Sequence, residues 1–452
     1  MMRALQVLII AVAAGFTTSP PDLSRRFVSP HPLAPSPFGR GGTVERAGAD
    51  SVRVATLLNA LARTDPVICD LIGDQLGNFW WGNQPGRLGR FDDAPNVQGA
   101  KDSLAGTITD PRALSLLVAT LGADNQCVRR VAAKLLGNST VSATVLSGLL
   151  DNPSPRIRES AAYAAGVGER RETRGSLERR LADSAPGPAA MAAWALGEMQ
   201  DPASAPALQR AVRSTSPRVR LAAAWALGQF EDASYAKDVL PFLRDVDPIM
   251  RATAAEALGR MKSPRVGPAL VGALTDRNDA VRLAAVNALA DMEERSAVGP
   301  LEGLLINDPN PEVRRDCANA LGNLSLARSL EPLARALGDP DVEVQREAAD
   351  AISNLDDVTK APPALVRVTT SSDVELRRNA TKALAHIGDA ATVQALADRL
   401  GDDDKEVRLA AVEGLGEMKV ATAIPGLTRA LNDRDPEVRR AAAEALGKTQ
   451  EN

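Results

Sequence analysis

The sequence predicts an all-α protein, a right-handed α-solenoid of about eleven two-helix repeats behind an N-terminal capping helix pair. Three observations carry that expectation. One phrase, clearest in "VRLAAAWALG", "VRLAAVEGLG" and "VRRAAAEALG", recurs from about Gln126 onward. Its closing residues are Gly137, Gly166, Gly197, Gly228, Gly259, Ala290, Gly322, Ser353, Ala385, Gly416 and Gly447, spaced 29 to 32 residues apart. Self-similarity at a fixed period is the signature of stacked repeats. The chain is also 44% hydrophobic but only 3% aromatic. Its core is therefore built from Ala, Leu and Val, and small residues let helices approach closely.

In chain order, residues 1–16 read as an export signal. Arg3 precedes "ALQVLIIAVAAGF", an apolar run too short to span a bilayer, and the small residues around Ala11–Ala14 near its end offer a cleavage site. Residues 17–48 are rich in Pro, Ser and Gly and read as a disordered linker. Residues 49–109 hold the capping helices, "SVRVATLLNALA" and "DPVICDLIGDQLG", with an inserted loop. Residues 110–452 are the repeat array. The expected location is extracytoplasmic, periplasmic or secreted, with no stable membrane span after signal removal.

Each repeat divides into two helices. The first is apolar with a Pro near its start, as in "VGPALVGAL" and "AIPGLTRAL", a position where the missing N–H costs nothing. An acidic loop such as "NDRDPE" follows, whose Asp or Asn can accept bonds from the open amides of the second helix. The second helix is the recurring phrase, and its final Gly is expected to stop it in the left-handed conformation. Neither helix buries its apolar face alone, so stacking makes the core.

The pattern in "NDRDPEVRRAAAEALG" resembles the short HEAT repeats known as PBS-lyase HEAT-like repeats. The resemblance covers residues 110–452 and implies the solenoid fold, with second helices lining a concave face. It implies little about function, because such arrays serve unrelated roles. Two enzyme types use related repeats. Deoxyhypusine hydroxylase binds iron through His-Glu pairs, whereas the histidines here are His31 and His386, neither followed by Glu. Bilin lyase subunits act on phycobiliproteins, which an export signal would keep out of reach. The "GDDD" run at 401–404 suits a helix-opening loop better than a calcium site. No catalysis, cofactor or metal is expected. The formal charge of −4 also argues against nucleic acid, whose phosphates need clustered positive charge.

Counting the second helix from its aliphatic residue as position 0 puts the closing residue at position 9. Arg recurs at position 1, as in Arg158, Arg251 and Arg408, and Asp recurs at position −5, as in Asp183, Asp276 and Asp433. Residues repeated in nearly every copy serve the repeat, so these read as a structural ladder. Cys317 replaces an Ala and reads as a small buried side chain. Cys69 and Cys127 open neighbouring helices, and in an exported chain they are candidates for a disulfide.

Position 6 lies opposite the apolar side and is polar in seven later repeats. In three successive early ones it is Tyr163, Trp194 and Trp225, with Leu221 beside Trp225 at position 2. An exposed aromatic stripe marks an interaction site, so these four residues are the expected partner-binding site. The alternative is that a segment such as "NFWWGNQPGRLGRF" folds back over them. The sequence as a whole points to an exported, non-catalytic protein-binding or scaffolding module whose partner is a protein or peptide on the concave face. A binder of carbohydrate or another small ligand is the alternative, and a bilin-lyase-like enzyme or lyase accessory is a distant third.

Overall fold

The computed structural model describes residues 42–62 and 107–450, apart from the side chains of residues 42–50, Ala60, Cys127 and Gln450. The export signal, the linker up to residue 41, the second capping helix and the pairing of Cys69 with Cys127 lie outside the described residues. So does the aromatic insertion at residues 78–100. The described chain divides into two compact units, one ending at Phe230 and one beginning at Glu231.

Unit 1 opens with α1 (Gly42–Ala62), which starts inside the segment expected to be linker. It buries Val54, Leu58 and Leu61, one helical stripe, and packs on the first repeat. Four helix pairs follow: α2 and α3 (Pro111–Thr120, Gln126–Gly137), α4 and α5 (Ala143–Leu150, Pro155–Val167), α6 and α7 (Arg174–Arg180, Pro186–Glu198), and α8 and α9 (Ala205–Ala211, Pro217–Gly228).

Unit 2 holds seven more pairs. They are α10 and α11 (Ala236–Val239, Pro248–Arg260), α12 and α13 (Gly267–Ala273, Asp279–Asp291), α14 and α15 (Val298–Asn307, Pro311–Asn323), and α16 and α17 (Leu330–Ala336, Val342–Ser353). The last three are α18 and α19 (Pro363–Val368, Val374–Ile387), α20 and α21 (Val393–Arg399, Lys405–Met418), and α22 and α23 (Ile424–Ala430, Pro436–Gln450). Even-numbered helices are the first of each pair and odd-numbered ones the second. Within each unit, second helices pack against the preceding and following second helix. The expected caps are present: Asn278, Asn310, Asp341 and Asp404 accept backbone N–H bonds at the starts of α13, α15, α17 and α21.

The closing glycines do not do what was expected of them. Gly166, Gly197, Gly259 and Gly322 are helical, and the left-handed residue comes three positions later, at Glu169, Gln200, Lys262 and Ser325. What position 9 requires is the absence of a side chain. A Cβ on Gly259 would lie 2.6 Å from Ala288 Cβ, and one on Gly322 would lie 2.8 Å from Ala351 Cα. In both cases the obstacle is position 7 of the next second helix. One repeat pair inverts the arrangement: Ala385 stands at position 9 and Gly414 at the following position 7, where a Cβ would lie 2.5 Å from Ala385 Cβ. Either member of the pair can be the glycine, and the small residue is a packing device between repeats.

The Arg and Asp ladder is a clamp. Arg158 donates from Nε and Nη2 to both oxygens of Asp183 in the next repeat, each bond at 2.7 Å, and from Nη1 to the carbonyls of Asn152 and Pro153. The same fork joins Arg251 to Asp276, Arg282 to Asp308, Arg314 to Asp339, Arg377 to Asp402 and Arg408 to Asp433. Burial pushes the Asp183 carboxyl up, but the bonds from Arg158 and the Ala185 amide hold it net below its ordinary value. Where the guanidinium is missing, its carboxylate is missing too. Where position 1 is Ala189 or Gln345, the following position −5 is Ser214 or Ser371. Gln345 then supplies the carbonyl bond, to Asp339 at 2.6 Å, and Ser371 accepts the Asp373 amide in place of a carboxylate. A carboxylate is absent where its guanidinium is absent, which avoids an unpaired buried charge.

Candidate functional site

With positions −5, 1, 7 and 9 committed to stacking, the side chains open to other use sit at positions −1, 2, 6 and 10 of the second helices. In the last four repeats position 6 is exposed, as Asp350, Lys382, Glu413 and Glu444. Position −1 is an exposed Glu in five successive repeats, Glu312, Glu343, Glu375, Glu406 and Glu437. Arg346 and Arg378 at position 2 bond to Glu343 and Glu375 one turn earlier and to Asp373 and Asp404 of the next repeat. Held by those guanidiniums, the Asp373 and Asp404 carboxyls are depressed to about 2. The result is an ordered, largely wet surface of alternating charge.

The "GDDD" run is absorbed by the fold, as expected: Asp402 clamps Arg377, and Asp404 binds Arg378 and caps α21. Among the described residues no group of three or more His, Cys, Asp or Glu is placed to hold a metal ion. An open depression of about 460 Å³ lies between the loops that precede α13 and α15. Its lining is committed, with Arg282 clamping Asp308 and Asn310 donating to Asp279 at 2.8 Å. Cys317 is fully buried, and burial pushes its thiol well up.

Toward the start of unit 2 the same row sinks. Asn287 donates to Asp316, Asn319 donates to Glu347, and Glu256 at position 6 of α11 is half-buried. Burial pushes the Glu256 carboxyl up to about 7, against a smaller opposing pull from Arg260.

In unit 1 the expected aromatic stripe is not an exposed one. Tyr163 is 7% exposed and Trp194 5%, while Trp225 and Leu221 are half-buried. The Tyr163 and Trp194 rings stack with centroids 5.3 Å apart. The reason is the closing glycine of the previous repeat. The Trp194 ring lies where a Cβ on Gly166 would come within 2.6 Å, and the Trp225 ring lies within 2.7 Å of one on Gly197. Bulk at position 6 thus fills a space that glycine opens at position 9. The premise that this side faces water fails for unit 1, and substituting these rings would disturb packing. One polar pair crosses here: Arg218 at the start of α9 donates to Glu159 of α5 at 3.1 Å, passing over Gly187 of α7.

The sequence profile of HEAT repeats matches residues 173–246, 236–321, 300–385, 330–412 and 393–452. No curated protein matches the chain. Among solved structures, an engineered protein is 22% identical over 75% of this chain and 99% of its own, with a TM-score of 0.48. A chain from the Kap95p–RanGDP structure is 17% identical over 88% of this chain and 60% of its own, with a TM-score of 0.52. A chain from the CpcE–CpcF complex of phycocyanin lyase from Nostoc is 23% identical over 55% and 94%, with a TM-score of 0.32.

Proposed function

The chain belongs to the HEAT-repeat family, and from that premise we propose that it is an exported, non-catalytic scaffold that binds another protein on the outward side of its second helices. One observation carries the reading. One set of positions in each second helix is used for stacking, and in the later repeats of unit 2 the remaining positions form a row that varies from repeat to repeat. In unit 2 that row presents rigid, mutually fixed charges, as on Arg346 and Arg378. Preorganised charge of this kind favours specificity and on-rate over raw affinity. The burial of Tyr163 and Trp194 leaves neither of those two rings a free face for a sugar to stack on, which weighs against the carbohydrate alternative.

The test is affinity capture from the extracytoplasmic fraction with the full chain and with Glu343→Lys, Glu375→Lys and Glu406→Lys combined. These exposed changes leave the clamps intact, so folding should persist while capture falls. Equal capture by both chains would reject the reading. Export is checked separately by sequencing the amino terminus, expected to begin between residues 14 and 20. An intact Met1 on cytosolic protein contradicts it.

A further inference from the structure

Carboxylates that sink into unit 2 are matched by the fold. Asp276 and Asp308 sit in the forks of Arg251 and Arg282. Along the outward row, position 6 of one second helix bonds to position 3 of the next. Asn287 donates to Asp316 at 3.2 Å, and Asn319 donates to Glu347 at 2.6 Å. Glu256 of α11 also stands at position 6, but the corresponding position 3 of α13 is Ala284, 4% exposed and unable to bond. Among the described residues the Glu256 carboxylate makes no hydrogen bond or ion pair. The charge that bears on it is Arg260, exposed one turn later on the same helix.

The surroundings of Glu256 are apolar. Ala252, one turn earlier on the outward side, is 1% exposed, and Leu283 beside Ala284 is half-buried. Position −1 of α11, an exposed Glu in five later repeats, is Ile249, 46% exposed. It lies two turns from Glu256, about 10 Å along the helix. A half-buried carboxylate without a partner works against folding. Burial raises it to about 7, because the ionised form loses hydration with no compensating bond. Asn at the same position in the next two repeats carries no such cost.

We infer that Glu256 is the seat for a Lys or Arg side chain of the partner protein, with an apolar residue of the same partner segment lying on Ile249. The inference rests on the reading that the outward side of the second helices binds a protein. A cationic head supplies the charge that the carboxylate lacks. Long basic side chains also cover apolar surface with their stems while the head is paired, and Leu283 offers that surface.

Fluorescein-labelled peptides test the inference on the full-length chain. Each is a short glycine-rich peptide holding one Leu and one Lys or Arg three residues apart, in either order, which spans about 10 Å when extended. Matched peptides carry norleucine or Glu in place of the basic residue. By fluorescence anisotropy, the Lys and Arg peptides should bind at least about tenfold more tightly than the matched ones. Glu256→Gln, which removes a buried charge and should fold at least as stably, is expected to erase that preference. Glu331→Gln, on the first helix α16, should leave it intact. Equal binding of the Lys and norleucine peptides to the natural chain, including no binding by either, overturns the inference. So does a preference that survives Glu256→Gln, or one that Glu331→Gln lowers as much, since the attraction would then be to negative charge in general. The underlying reading is judged separately. If the peptides fail while the three combined substitutions to Lys still lower capture, binding on the outward side stands and the Glu256 seat does not.

Discussion

Changing Gly322 to Ala should destabilise unit 2, and Ala351 to Gly should rescue it. The added Cβ would lie 2.8 Å from Ala351 Cα and 2.9 Å from its Cβ. Carbon atoms prefer at least about 3.5 Å, so α15 and α17 must separate by roughly 0.7 Å. Overpacking of this kind costs about 1–3 kcal/mol. The obstacle is backbone that cannot rotate away, which places the cost at the upper end. Helix propensity returns about 1 kcal/mol for Gly→Ala, leaving a net loss of about 2 kcal/mol. Ala351→Gly alone should cost about 1–2 kcal/mol, from propensity and one buried methyl. In the double variant the propensities cancel and the methyl returns from the other side, as in the natural Ala385 and Gly414 pair. Its stability should fall within about 1 kcal/mol of wild type, a coupling of about 2–3 kcal/mol. Urea unfolding measures the totals. Hydrogen exchange in α15 and α17 localises the effect, because repeat arrays need not unfold in one step. Additive losses in the double variant, or a harmless Gly322→Ala, would refute the reasoning.

Three further outcomes are expected. Asp308→Ala strands the buried Arg282 guanidinium and should cost about 3–5 kcal/mol, whereas Arg282→Gln with Asp308→Ser, copying Gln345 and Ser371, should recover most of it in urea titrations. Burial raises the folded Glu256 carboxyl from its ordinary 4.5 to about 7, so the folded state binds the extra proton between those values and stability falls as pH rises through that window. Glu256→Gln should flatten that slope and, discounting for its half-buried position, stabilise the protein at pH 8 by about 1–2 kcal/mol; an unchanged slope in denaturation against pH counts against this. Lys262 sits at φ 46°, a conformation that strains an L side chain, so Lys262→Gly should raise stability by about 0.5–1 kcal/mol in thermal melts.

The repeat was fully legible in the sequence, because stacking identical units forces the same residues into each copy. So were the helix caps and the structural role of the Arg ladder. The function of the closing glycine was misread, since its role is contact with another repeat, which local turn chemistry does not reveal. The aromatic side was misread for a related reason. Position 6 takes its environment from positions 6 and 9 of the previous repeat, which one helix's periodicity does not report. A signal was present nonetheless: "PGPAAMAAWALG", Pro186–Gly197, has no polar side chain, and a helix apolar all round is buried all round. Glu256 was counted as a solvated residue by its type, while its depth depends on neighbours in the stack.

Partner recognition by the second-helix row is tested most directly by placing a photoreactive residue on each side of one repeat. Asp350 is exposed on the outward side of α17, and Glu331 is exposed on the first helix, α16, of the same pair. With the chain expressed in its own cells, a cross-linker at 350 should yield one discrete heavier adduct and a cross-linker at 331 none. An adduct from 331 alone, or none from 350, would contradict binding on the second-helix face.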